Sequence, residues 1–278
     1  MRKAKIALVA AVLLLVAMSA APGAAAAVRP SSPLPEQWWF VTWGVKDLLW
    51  PHSRGRGVVV AVVDTGVQAD LPDLAGVVLP GVDYEHNTNG HTDFDDEKGG
   101  HGTAMASAIA AQGTHTGFIG VAPEAKILPI AVRSSLDIIR GIRHATDRGA
   151  KVINISMAVA TVRCPPQMQE AIRYAIDRDV VVVAAAGNDG DTINLSQAPA
   201  NCLGVLAVGA STVDNKPWPH SQRQPYVDIA APGGVHPVLG RSGRIGYSSG
   251  GTSLAAALTS GAIALVRAKY PQMTNREV

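Results

Sequence analysis

Cysteine is close to absent from this chain. Two in 278 residues are too few for a disulfide scaffold or a four-cysteine zinc site. Aromatic residues are also few, at 5%. No excess of one charge exists either: 24 Lys and Arg against 22 Asp and Glu leave a formal net charge of +2, which is no electrostatic footprint for nucleic acid. There is no H-E-x-x-H zincin motif, no phosphate-binding loop and no internal repeat. Past the first 27 residues there is no low-complexity segment and no apolar run long enough to span a bilayer. What remains is ordinary in a folded protein. At 47% hydrophobic and 17% charged, the chain can bury a sizeable core and is too apolar to stay disordered.

Residues 1–27 read as an export signal. Arg2, Lys3 and Lys5 make a cationic start, residues 6–20 are almost unbroken apolar sequence, and Ala24 to Ala27 offer small-residue cleavage sites before Val28. The apolar stretch falls short of the ~20 residues that a spanning helix needs, so a cleaved signal peptide is preferred and an uncleaved anchor is the alternative. Export places Cys164 and Cys202 in an oxidising compartment, where a disulfide is expected over two buried thiols. Closing a loop of that length would stabilise the fold by roughly 4 kcal/mol at most.

Residues 28–56, rich in Pro and Trp, show little periodicity and read as an extended arm whose aromatics (Trp38, Trp39, Trp43, Trp50) pack on the main body. Residues 57–278 form one domain. Apolar runs without alternation at 58–63, 126–132, 152–155, 180–185 and 205–210 mark strands covered on both faces. Helical patterns occupy 103–112, 135–148 and 166–178, and a last helix at 254–270 ends before Pro271. Such alternation predicts an α/β fold with a doubly wound, mostly parallel sheet flanked by helices. Thr274-Asn275-Arg276-Glu277 looks like the cap and first turn of a further helix. The expectation is therefore a chain that continues beyond Val278, with a membrane anchor possible there.

In open parallel sheets, functional groups gather beyond the carboxyl ends of the strands. Val62-Val63-Asp64-Thr65-Gly66 places a carboxylate at a strand end. Gly99-Gly100-His101-Gly102-Thr103 places an imidazole at a helix start, and Gly250-Gly251-Thr252-Ser253-Leu254 a hydroxyl at another. Singly, each reads as a turn or cap residue. Together they are the parts of a Ser-His-Asp triad.

These three segments, in the order Asp, His, Ser, resemble the signature motifs of the subtilisin-like serine proteases (subtilases, peptidase S8). Ala184-Ala185-Ala186-Gly187-Asn188 resembles that family's oxyanion segment, and Asn154-Ile155-Ser156-Met157 its substrate-binding strand. The likeness runs from about Gly57 to Pro271. The Trp-rich arm, the cysteine pair and the leader resemble the mycosin branch, associated with type VII secretion. The resemblance implies Ser253 as nucleophile, His101 as general base and then general acid, and Asp64 as the residue that orients His101. It implies the Asn188 amide and the Ser253 N–H as oxyanion donors. Ser156, Met157 and Ala158 would pair with the backbone of an extended polypeptide substrate, the alternative being simply the end of a core strand.

The sequence departs from the family pattern in places. Ala257 stands where subtilases usually carry Pro, Arg133-Ser134-Ser135-Leu136 replaces a Gly-rich strand, and too few residues precede Asp64 for a folded pro-domain. Calcium is the family's usual structural ion. Asp73 falls where relatives place one ligand, but residues 112–117 lack the Asn-rich loop. Asp93, Asp95, Asp96 and Glu97 lack EF-hand spacing and read as a solvated acidic loop, so no cofactor and no required metal is expected. Gly246-Tyr247-Ser248-Ser249-Gly250 fits the G-x-S-x-G elbow of α/β-hydrolases, a fold that needs a later histidine; the last here is His236. Two functions are carried forward. One is a secreted or envelope-bound serine endopeptidase; the other is a weakly catalytic scaffold in a secretion complex, with that system's membrane components as partners.

Overall fold

The structure, a computed structural model, describes residues 32–95 and 99–278. The leader at 1–27, residues 28–31 of the arm, and Asp96 and Glu97 lie outside the described residues. In chain order the elements are a short helix α1 (Trp39–Thr42), a π-helical turn (Val45–Leu49), β1 (Val59–Asp64), β2 (Val82–Asp83), α2 (His101–Ala110), β3 (Lys126–Ala131), α3 (Ser135–Asp147), β4 (Val152–Ile155) and β5 (Val159–Ala160). There follow α4 (Pro166–Ile176), β6 (Val181–Ala185), β7 (Gln197–Ala198), β8 (Leu206–Ser211), β9 (Ile229–Pro232), β10 (His236–Leu239), β11 (Ile245–Ser248) and α5 (Thr252–Lys269).

Seven strands form one sheet in the order β2-β3-β1-β4-β6-β8-β9, every neighbouring pair parallel. β10–β11 and β5–β7 are separate antiparallel ribbons. The unbroken apolar runs have a direct cause. Successive strand residues point to opposite faces, and both faces are covered. Val60, Val62, Ile127, Val183 and Val208 join α2 and α5 in one core; Ala61, Val63, Leu128, Ile153 and Val182 join α3 and α4 in the other. After β1 and the short β2 the chain enters α2 on the first face, and after β4 and the short β5 it enters α4 on the second. The crevice between the neighbouring strands β1 and β4 is the topological switch point, where α/β sheets place their chemistry.

The arm is helical where an extended course was expected. Gly44, at φ +59°, separates α1 from the π-helical turn, and the compact turns let Trp39, Phe40, Val45 and Trp50 sink into the first core. Gln37 clamps Ile119 by two backbone hydrogen bonds, and the Trp50 indole donates to the Val121 carbonyl at 2.8 Å. Cys164 and Cys202, 38 residues apart, are joined in a disulfide. Among the described residues no helix is long and apolar enough to cross a membrane. At the other end, Thr274 donates to Glu277 through its N–H and its hydroxyl, both at 2.8 Å.

Candidate active site

Asp64 ends β1 and is wholly buried. Its Oδ1 accepts the Thr65 N–H at 2.9 Å and faces His101 Nδ1 at 2.7 Å. A carboxylate acceptor assigns the proton to Nδ1, leaving Nε2 as the ring's acceptor nitrogen. His101 opens α2, and its side chain keeps 19% of its surface exposed, so the ring spans from a buried carboxylate to solvent. Glycine permits this approach: a Cβ on Gly102 would lie 2.1 Å from the Gly66 carbonyl oxygen.

The acidic loop before His101 is not a solvated run where it is described. Asp93 is wholly buried. Its Oδ1 accepts the Thr65 hydroxyl at 2.8 Å and the Asp95 N–H at 3.1 Å; its Oδ2 accepts the Thr103 N–H at 2.7 Å and the Thr103 hydroxyl at 2.6 Å. Burial pushes its carboxyl above the usual range, and these donors pull the other way. Asp95 accepts the His101 N–H at 3.0 Å. The two carboxylates thus cap α2, whose N-cap Gly100 has no side chain to do so.

At the neighbouring strand ends, Ser253 is the second residue of α5 and half-buried. Asn188, exposed beyond β6, accepts the Thr252 N–H and the Thr252 hydroxyl through Oδ1, each at 2.9 Å. A Cβ on Gly251 would lie 3.8 Å from Ser253 N and 3.9 Å from Asn188 Nδ2, so these two donors flank one spot that glycine leaves open. Beneath them runs a buried polar chain: Ser260 Oγ donates to Asn154 Oδ1 at 3.1 Å, Asn154 Nδ2 to Ser156 Oγ at 3.0 Å, and Ser156 Oγ to the Ser253 carbonyl at 3.3 Å. It ties the end of β4 to the first turn of α5. Ser156, Met157 and Ala158 lie between β4 and β5 and belong to neither strand; Ser156 is buried, Met157 half-buried and Ala158 exposed. The structure therefore joins Asp64 to His101, Asn188 to the Thr252–Ser253 turn and Ser156 to Ser253, all at the carboxyl ends of the adjacent strands β1, β4 and β6.

The remaining candidates fall elsewhere. Ser248 ends β11 in the ribbon outside the main sheet and accepts the Gly250 N–H at 3.2 Å; no strand-to-helix elbow of the central sheet carries it. Ala257 is buried inside the unbroken helix α5. Ser134 and Asp137 close a capping box that starts α3 directly after β3. Asp73 is buried, and the 112–117 loop turns hydrogen-bond donors onto it: the N–H groups of His115 (2.8 Å) and Thr116 (3.1 Å) and the Thr116 hydroxyl (2.8 Å). A carboxylate so occupied by donors does not fit a calcium ion. Among the described residues no group of three or more His, Cys, Asp or Glu could hold a metal.

The subtilase family profile matches residues 55–278. The chain belongs to the subtilase family. This subtilase is 35% identical to mycosin-3 of Mycobacterium tuberculosis over 82% of its own length and 62% of that protein's, so it spans less than two thirds of that relative. It is also 35% identical to an intracellular serine protease of Paenibacillus polymyxa, over 79% of this chain and 69% of that one. Among solved structures, the MycP3 protease from the type VII (ESX-3) secretion system superposes with a TM-score of 0.75 at 34% identity, covering 90% of this chain and 81% of that one. MycP1 with its N-terminal propeptide removed gives 0.74 at 30% identity, covering 86% of each. The seven-stranded parallel sheet between helix layers is thus the subtilisin-like fold.

Proposed function

We propose that this subtilase is an exported serine endopeptidase acting through Asp64, His101 and Ser253. The observation that carries the reading is the 2.7 Å contact from His101 Nδ1 to buried Asp64, at the sheet end where the Ser253 turn also sits. Ser253 Oγ attacks the scissile carbonyl carbon while His101 Nε2 takes its proton. The oxyanion receives hydrogen bonds from the Ser253 N–H and Asn188 Nδ2. Collapse breaks the C–N bond, with His101 returning the proton to the leaving amine, and water then hydrolyses the acyl-enzyme by the same route. Asp64 keeps the ring in the working tautomer and stabilises the imidazolium. The substrate is an extended polypeptide whose backbone runs along Ser156, Met157 and Ala158. No metal takes part.

Export rests on the cationic and apolar leader of residues 1–27. The likeness to mycosin-3 and MycP3 supports a place beside the membrane components of a type VII secretion system, at the cell envelope. It also supports the second reading, a weakly catalytic scaffold of that complex. A fluorophosphonate probe separates the two. The protease reading expects labelling that Ser253→Ala abolishes and Ser248→Ala leaves intact; no labelling of the folded wild-type chain would hand the case to the scaffold.

A further inference from the structure

Asp93 is bonded to the neighbours of the Asp64–His101 pair, through Thr65 on one side and Thr103 on the other. These partners carry the pair: Thr65 follows Asp64, and Thr103 lies in the first turn of α2 behind His101. Thr65 Oγ1 also accepts the Gly102 N–H at 2.9 Å. A closed ring results. It runs from His101 to Asp64 (2.7 Å), along the backbone to Thr65, from the Thr65 hydroxyl to Asp93 (2.8 Å), across the carboxylate to Thr103 (2.7 Å), and back along α2 to His101.

We propose that Asp93 is a positioning residue for His101, a buried carboxylate that holds the start of α2 so that the imidazole meets Asp64 squarely. This rests on the protease reading above. Among the described residues, the four groups aimed at the carboxylate are all donors, so an acceptor on both oxygens satisfies them; an amide would turn its NH2 against two of them. Among the described residues, the titratable or charged groups nearest Asp93 along its hydrogen bonds are Asp95 on its own loop, whose N–H it accepts, Asp64 on β1, which precedes Thr65, His101 on α2, two residues before Thr103, and Arg241 of the β10–β11 turn. Arg241 donates to the Asp93 main-chain carbonyl at 2.9 Å.

The test compares Asp93→Asn with wild type in the full chain, reading fluorophosphonate labelling rate against pH, together with kcat and KM on a peptide. Misplacing the base should lower labelling rate and kcat by about 10- to 100-fold at nearly constant KM. The acid limb should move to lower pH, because less negative charge and a poorer Asp64 contact destabilise the imidazolium. Should Asp93→Asn lack a cooperative thermal transition, Thr103→Val is expected to shift rate and acid limb in the same direction, and Thr103→Ser to restore both. Wild-type rate and acid limb in these variants, even at a lowered Tm, would reduce Asp93 to a structural role and overturn the proposal. Failure of the wild-type chain to label would instead bring down the protease reading, and this one with it.

Discussion

The first turns of α2 and α5 are finished in opposite ways, although each presents a residue of the proposed site. At α2 the opening N–H groups are spent: His101 N–H on Asp95, Gly102 N–H on the Thr65 hydroxyl and Thr103 N–H on Asp93. Two carboxylates neutralise the positive end of that helix. At α5 the partner is a neutral amide, Asn188, which takes the Thr252 N–H, and the Ser253 N–H lies in the turn that has no intrahelical acceptor. The difference suits the two proposed roles. A helix start sealed by acids holds a base in place, while one left positive and open at Gly251 can receive an anion.

The comparison can be broken or sharpened by substitution, taken from the largest expected effect down. On the α2 side, Asp64→Asn should keep the fold and lower kcat by about 10⁴-fold by giving His101 the wrong tautomer, read by steady-state peptide hydrolysis. On the α5 side, Asn188→Asp is the sharper probe. It keeps an acceptor for Thr252, so Tm should hold, yet it loses the donor and adds repulsion; kcat should fall by more than the roughly 10²–10³-fold expected for Asn188→Ala. A tolerated Asp there would contradict the anion-receiving role of α5. Asp95→Ala should instead cost stability, about 1 kcal/mol by denaturant unfolding. Smallest of all, EDTA should leave Tm unchanged, because donors already occupy the Asp73 carboxylate; a drop of several degrees restored by added calcium would refute that.

The long strands were readable because a parallel strand buried on both faces leaves an uninterrupted apolar run. Val59–Asp64 and Val181–Ala185 fall almost where the runs put them. β2, β5 and β7 have two residues each, too short for any period, and owe their existence to distant partners. Helical turns in the arm escaped notice because α1 spans only four residues, and its Trp and Phe reveal burial but not backbone shape. Among the site residues, Asp64, His101 and Ser253 announced themselves through the glycines and small residues around them. Asp93 did not. Written beside Asp95, Asp96 and Glu97 it looks like surface charge, and only the donors of Thr65 and Thr103, 28 residues upstream and 10 downstream, make it a buried hub.

By itself the sequence determined the layers, the five central strands written as apolar runs and the residue types available for chemistry, since periodicity and local chemistry are written along the chain. The tertiary structure alone decided which donors meet which acceptors. Hydrogen bonds such as Asp64 to His101 and Ser260 to Asn154 close over 37 and 106 residues, and no local pattern encodes a distance that the packing of two helix layers on one twisted sheet has to set.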